Sequence, residues 1–353
     1  MPLFLDSGQS ESQAEFKAAN CITIGLINNM PDAALEATER QFTDLIRAAT
    51  PDVVVLLKLF ALPGLPRSEA GRAALAGRYR GIAELWQTPL DGLIVTGAEP
   101  RAKNLTEEPY WDSLSEIIDW AKDHTGSTIW SCLAAHAAVL HRDGIERRAL
   151  AQKQCGVFDC RLAADHPMTE HFPQPLWVPH SRYNDLPEAA LAACGYKILT
   201  RSNAAGVDAF AKQDGSFFLF FQGHPEYEAD TLLREYRRDI ARFLAGERER
   251  YPAVPLGYFN DGAAAVAETF RTRALRERHG ELIAEFPKST LEAGLQWPWR
   301  AAALGTYEKW CAYLSARKAE RRTIPAPSSG VRLRRTWRDW PLGARQPVGN
   351  SAQ

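Results

Sequence analysis

Two short segments of this chain hold residues that could do nucleophilic chemistry together. Cys132 stands between Ser127-Thr128-Ile129-Trp130-Ser131, which has strand character, and Leu133-Ala134-Ala135-His136-Ala137-Ala138, which is Ala-rich and helical in character. Far downstream, His224 and Glu226 lie in Gly223-His224-Pro225-Glu226, directly after an apolar strand over 217–222. A thiol, an imidazole and a carboxylate can serve as nucleophile, base and orienting group. The imidazole takes the thiol proton, and the carboxylate fixes its tautomer and supports the imidazolium. A residue at a strand-to-helix junction also faces the positive end of the helix, which favours an anion. The backbone N–H groups of that first turn, near Leu133, can receive an oxyanion. Taken singly, each segment has a plain alternative: Cys132 as a packing residue, and His-Pro-Glu as a turn. Taken together they point to a Cys132–His224–Glu226 triad.

Such a triad needs a frame that gathers the ends of separate strands. Residues 21–27 read as a buried strand that runs into the loop Asn28-Asn29-Met30-Pro31. A helix follows over 33–49, with apolar positions at Leu35, Phe42, Leu45, Ile46 and Ala49 and with Asp32 as its N-cap. Further apolar runs cover 53–62 and 91–97. Thr106 opens a helix with Glu107 and Glu108 in its first turn and the stripe Tyr110, Trp111, Leu114, Ile117, Ile118 and Ala121. Continuous apolar strands alternating with helices indicate an α/β fold with a mostly parallel sheet covered by helices on both faces. Over 154–204 the elements read as short and rich in Pro and His. Residues 208–213 and 216–222 form a hairpin about Asp214-Gly215, and a charged helix runs over 228–245.

The expected division is a polar lead-in at 1–20, a catalytic domain at 21–250, a helical extension at 251–322 packing on it, and a basic tail at 323–353. Helices are expected near 263–277 and 297–314. From 319 to the end, seven arginines face only Glu320 and Asp339. That is the composition of a solvated tail, although Trp337 and Trp340 leave docking open.

Composition narrows the classes. Of 353 residues, 42 are basic and 43 acidic, a net charge of -1, so the footprint of a general nucleic-acid binder is missing. No apolar run approaches the ~20 residues of a membrane helix. Residues 1–20 lack the features of a signal or transit peptide, which points to the cytoplasm. The six cysteines form no CxxC pair and are expected as free thiols. Cys155 and Cys160 have no His cluster at ligand spacing, so no metal is expected. His136, His141, His166 and His171 read as ordinary surface or loop residues.

The elbow cysteine followed by His-Pro-Glu resembles the class I glutamine amidotransferase folds, which are flavodoxin-like. Within that group the chain is similar to the homoserine O-acyltransferase (homoserine transsuccinylase) family. The matching segments include Asn28-Asn29-Met30-Pro31, Asp91 to Ala98, Tyr110-Trp111, Pro179-His180-Ser181-Arg182-Tyr183, Gly223 to Tyr227 and Tyr258-Phe259, then Trp299-Arg300 and Trp310. The resemblance implies that Cys132 forms an acyl-thioester, with His224 as base and Glu226 as its partner. It further implies that Lys153 and Ser181 bind substrate and that Arg238 holds the amino acid, whose carboxylate an arginine fork suits. Read without the family, Arg238 is an exposed helix cation pairing with Glu235 or Asp239. His180 and Arg182 could equally be fold-supporting.

The resemblance therefore implies an acyl-CoA-dependent O-acyltransferase acting on L-homoserine in methionine biosynthesis. It implies no bound cofactor, acyl-CoA as co-substrate, and a homodimer. Counting through the loop after Gly97 places Arg101 where the family sorts acyl groups. A cation there suits the free carboxylate of succinyl-CoA over acetyl-CoA, while the alternatives are a solvent-facing Arg101 or one meeting a CoA phosphate. The rival readings are a serine O-acyltransferase, an amidotransferase-type glutamine hydrolase, and an inactive metabolite-binding homologue.

Overall fold

Strands buried on both faces carry apolar residues at every position, and here the two sides of the sheet sort them by parity. In the computed structural model, which describes residues 3–5, 21–170, 172 and 174–323, β5 (Ser127–Ser131) sends Trp130 to one layer and Ile129 to the other. β10 (Ser216–Phe221) does the same, with Phe218 and Phe220 on one side and Phe217, Leu219 and Phe221 on the opposite side. The remaining strands are β1 (Leu3–Leu5), β2 (Cys21–Ile27), β3 (Val54–Phe60), β4 (Gly92–Val95), β6 (Arg148–Leu162), β7 (Leu176–Asp185), β8 (Lys197–Ser202) and β9 (Gly206–Asp214). Their order across the sheet is β1-β3-β2-β4-β5-β10-β9-β8-β6-β7. The pairings from β1 to β10 are parallel, and those from β10 onward are antiparallel. The expected α/β class with a mostly parallel sheet is therefore the one observed.

Helices α1 (Asp32–Ala49), α2 (Glu69–Leu75), α3 (Ile82–Leu85), α4 (Trp111–His124), α5 (Leu133–Asp143) and α6 (Glu188–Ala193) lie among the strands. They are followed by α7 (Thr231–Leu244), α8 (Asp261–Arg276), α9 (Lys288–Glu292) and α10 (Arg300–Thr323). α4 and α5 cover one face of the sheet, while α1 and α10 cover the other. α7, α8 and α9 share a separate apolar cluster that includes Tyr236, Phe243, Phe270, Phe286 and Trp299. α10 is part of the sheet's own core. Tyr307 packs against Phe42 of α1, and Trp310 is fully buried with its Nε1–H donated to Ser127 Oγ at 2.9 Å. Gly92 of β4 permits this approach, because a methyl group there would meet Leu314 at 2.5 Å.

Several local expectations change. Asp32 does not cap α1, whose N-cap is Pro31. Its carboxylate instead accepts from Ser68 N–H at 2.8 Å, Ser68 Oγ–H at 2.7 Å and Arg67 at 3.1 Å, and these bonds hold it below the usual range. Thr106 sits in a 3-10 turn (Leu105–Glu107), and α4 starts only at Trp111. Glu108 is buried and accepts from the N–H groups of Arg101 and Ala102 at 2.6 and 2.8 Å, so it braces a loop rather than a helix end. The region over 154–204 is not a series of short elements: β6 and β7 are long antiparallel partners with a bulge between Ala149 and Gln154. Leu3–Leu5 adds a parallel edge strand where the sequence reads as lead-in. His171 and the basic residues beyond 323 lie outside the described residues. Among the described residues, no helix is long and apolar enough to cross a membrane.

Because Trp310 ties α10 to β5, Trp310→Ala should destabilise the protein by about 3–5 kcal/mol. Urea unfolding checks this, and a loss below about 1 kcal/mol would mean that α10 is not part of the core.

Candidate active site

The parallel pairing of β5 with β10 places Ser131 beside Phe221, so the two chains leave the sheet at the same level. The pairing extends one residue further, where Cys132 N–H donates to Phe221 O at 2.7 Å. Cys132 has φ 51 and ψ -112, the one positive φ outside glycine among the described residues. Such a backbone costs about 1–3 kcal/mol and persists only when its surroundings enforce it. It turns the chain from β5 straight into α5 and stands the side chain in the cavity above the strand ends. Ala135 and His136 donate to the Cys132 carbonyl, which leaves the N–H groups of Leu133 and Ala134 without a partner in the helix and available to an oxyanion at this elbow. Gly97 at the end of β4 leaves room for one, since a methyl group there would lie 3.0 Å from Leu133 N.

His224 follows β10, and its backbone N–H is fixed by Pro179 O at 2.8 Å. Its Nδ1 meets Glu226 Oε1 at 2.9 Å, and its ring faces the same cavity as Cys132. Burial disfavours the imidazolium, but the charges of Glu226 and Cys132 outweigh it and hold this histidine well above its ordinary pKa. The imidazolium is the form of His224 that these charges favour. Two supports were not evident in the sequence. Ser131 Oγ donates to Glu226 Oε1 at 3.2 Å, and the Tyr227 ring stacks on the imidazole with centroids 4.2 Å apart.

Lys153, Ser181 and Arg238 all line the same cavity of about 190 Å³ as Cys132 and His224. They meet around two acids of α7, Glu235 and Asp239, which the sequence marks only as ion-pair partners of Arg238. Lys153 Nζ donates to Asp239 at 2.8 Å and Glu235 at 3.3 Å, Ser181 Oγ donates to Glu235, and Tyr227 OH donates to Glu235 at 2.6 Å. Burial raises the Glu235 pKa, yet Lys153, Arg238 and these hydroxyls bring it below the usual carboxylate range. Arg238 donates to Asp239 through Nε and Nη2, both at 3.0 Å, while remaining 43% exposed. It is thus a paired helix cation and a cavity-lining residue at once.

Arg101 is not brought into this cavity. It is exposed and lines a neighbouring cleft with Arg67 and Leu65, and the two spaces share Pro31 and residues 98–100 as a common wall. His136 is not a surface residue: it is buried in α5 with Nε2 at 2.9 Å from Gln222 Oε1, and burial lowers its pKa to about 3. His180 and Arg182 support the fold. His180 is fully buried against Asp208, and Arg182 is consumed by Asp185 and the carbonyls of Asn184 and Ala205. Burial pushes the Cys155 thiol up to about 11, which makes it a poor rival nucleophile.

Removing the Glu226 charge should lower the His224 pKa by about 1–3 pH units. Following the ring resonances of Glu226→Gln through a pH titration checks this, and an unmoved midpoint would detach Glu226 from the triad.

The sequence model of the homoserine O-succinyltransferase family matches residues 7–321. The homoserine O-succinyltransferase of Rhodopseudomonas palustris is 51% identical over 299 residues, which cover 85% of this chain and 90% of that one. Its counterpart from Bradyrhizobium japonicum is 50% identical over 295 residues, covering 83% and 90%. Among solved structures, a glutamine amido transferase from Methylobacillus flagellatus covers 84% of this chain and 96% of its own, at 15% identity and a TM-score of 0.47. With a family match over most of its length and relatives half identical to it, the chain belongs to the homoserine O-succinyltransferase family.

Proposed function

We propose that this protein transfers the succinyl group of succinyl-CoA to the hydroxyl of L-homoserine through a succinyl-Cys132 intermediate, a step of methionine biosynthesis. One observation carries the reading. A cysteine–histidine–glutamate triad shares a single cavity with the Lys153, Ser181 and Arg238 cluster, so reacting groups and groups suited to a charged amino acid face the same space.

In the first half-reaction the Cys132 thiolate attacks the thioester carbonyl, and the oxyanion settles on the N–H groups at the start of α5. Collapse breaks the carbon–sulfur bond to CoA, and the departing thiolate takes the proton of the His224 imidazolium. CoA leaves as the free thiol. The now neutral imidazole accepts the hydroxyl proton of homoserine as that oxygen attacks the succinyl-cysteine. Collapse of this second intermediate yields the O-succinyl ester, restoring the thiolate and the imidazolium. Glu226 supports the charge that His224 carries at the start and end of each cycle.

Arg238 is the cation for the homoserine carboxylate. We assign Arg101 to the CoA side, because its cleft of about 320 Å³ adjoins the Cys132 cavity across the shared wall at 98–100. The homoserine-specific reading is favoured over serine by the relatives, and an amidotransferase-type reaction would need glutamine as the acyl source.

The deciding assay incubates the enzyme with succinyl- or acetyl-CoA and homoserine or serine, following CoA release, and separately with glutamine alone. Succinyl-CoA with homoserine should be the fastest pair, and glutamate should not form. Cys132→Ser should abolish turnover. Arg238→Ala should lower kcat/KM for homoserine by about ten- to several-hundred-fold, while CoA release in the first half-reaction survives. Glutamate formation from glutamine, or equal loss in both half-reactions of Arg238→Ala, would contradict the assignment.

A further inference from the structure

The proposed reaction leaves one charge unaccounted for. Succinyl-CoA ends in a free carboxylate, and only two methylenes separate it from the thioester carbon that must reach Cys132. Any group that reads this carboxylate must therefore belong to the wall of the Cys132 cavity and lie close to the sulfur. It must also have a free donor face.

The basic side chains of that wall divide clearly. Lys153, Arg182, Arg238 and Arg242 each already hold a carboxylate, on Asp239, Asp185, Asp239 and Glu99 respectively. Arg248 donates to the Tyr183 hydroxyl at 2.6 Å and lies over its ring. Arg147, like Arg248, holds no carboxylate, but unlike Arg248 it has a buried guanidinium nitrogen with no partner. It follows α5 on the chain and lines the cavity together with Cys132, Leu133 and His136. Among the described residues it forms no ion pair. Its one hydrogen bond runs from Nη2 to the Lys103 carbonyl at 3.3 Å, and its Nη1 is buried with no partner at all.

A buried guanidinium nitrogen without an acceptor is costly, because its water has been removed and nothing replaces it. Burial lowers the pKa of Arg147 against the nearby charges of Tyr110, Glu108 and the Cys132 sulfur, although the group remains a cation. The guanidinium and the Cys132 thiol line one and the same cavity, which puts the cation within the space where the acyl group must sit. Glu108 accepts at Oε1 from the backbone N–H groups of Arg101 and Ala102 and forms no ion pair with Arg147 among the described residues. The site is thus a partly desolvated arginine, held near the nucleophile, with an open donor and no internal counter-ion. Such a site suits a carboxylate brought by the substrate.

We propose that Arg147 is the donor-selecting residue, pairing with the terminal carboxylate of the succinyl group while its thioester carbon sits at Cys132. This rests on the succinyl-transfer reading above. It gives the selectivity a residue inside the cavity, where Arg101 is not. A monoacyl donor without the carboxylate leaves the Arg147 donors unmatched, and that penalty is the source of discrimination.

The test uses the full-length enzyme without acceptor and measures kcat/KM for CoA release in a single acylation from succinyl-CoA and from butyryl-CoA, its neutral counterpart. Arg147→Met should lower the succinyl value by about ten- to 150-fold and leave the butyryl value unchanged or raised. Arg147→Lys should recover part of the succinyl preference. The homoserine KM of either variant, measured in full turnover, should stay near that of the parent. Equal losses with both donors would make Arg147 structural and overturn the proposal. A raised homoserine KM with normal succinyl acylation would move the residue to the acceptor and overturn it as well. If the parent itself takes no acyl group from succinyl-CoA, the transferase reading fails together with this assignment. That result is distinct from a parent that acylates normally and a variant whose donor ratio is unmoved, which overturns the role of Arg147 alone.

Discussion

The site depends on the register between two parallel strands that are distant in sequence. With Ser131 opposite Phe221, and with Cys132 N–H donated to Phe221 O at 2.7 Å, Cys132 and His224 emerge side by side from neighbouring strands. A slip of one residue would turn every side chain of one strand to the other face and carry the thiol away from the imidazole. The register is secured at both ends. At the far end, Trp310 donates to Ser127 Oγ, which in turn donates to Phe217 O at 2.7 Å. At the near end, Gln222 donates to Val207 O and accepts from Leu186 N–H and His136, which locks the start of the loop that carries His224.

This arrangement links α10, late in the chain, to the strand that carries Cys132, although α10 does not line the cavity. Its buried tryptophan holds the opposite end of the strand that carries Cys132. It also explains the backbone strain at the elbow. Cys132 can be kept at positive φ because its N–H is tied to β10 and its carbonyl accepts from Ala135 and His136 of α5. Electrostatics then complete the site in two halves. Glu226 with Ser131 sets the charge of His224, and Glu235 with Asp239 gathers Lys153, Ser181 and Arg238 on the α7 side.

Much of this was legible in the sequence, for identifiable reasons. Strands buried on both faces read as unbroken apolar runs, so β2, β4, β5 and β10 are legible, and the residues at the ends of β5 and β10 include Cys132, His224 and Glu226, which line one cavity. Helix starts were less legible, because Asp32 and Glu107-Glu108 look like capping acids until their actual partners are known. Asp32 binds Ser68, and Glu108 binds the N–H groups of the 101–102 loop, and both contacts are tertiary. β6 and β7 were hidden by their residue types. Solvent-exposed residues at the start of β6 break the alternation, and Pro179 in β7 argues against a strand unless that strand lies at the sheet edge, as β7 does. Gln222, Glu235 and Arg147 carry no local signal. Their roles arise only when β6, β7 and α7 converge on the strand ends.

The central claim is that the succinyl group passes through the Cys132 sulfur. Mixing the enzyme with succinyl-CoA in the absence of homoserine, quenching in acid and mapping the peptides by mass spectrometry tests it most directly. The account predicts a single succinyl mass on the peptide that contains Cys132, discharged when homoserine is added before the quench. A succinyl group on another cysteine or on a serine, or turnover without any acylated enzyme, would contradict it.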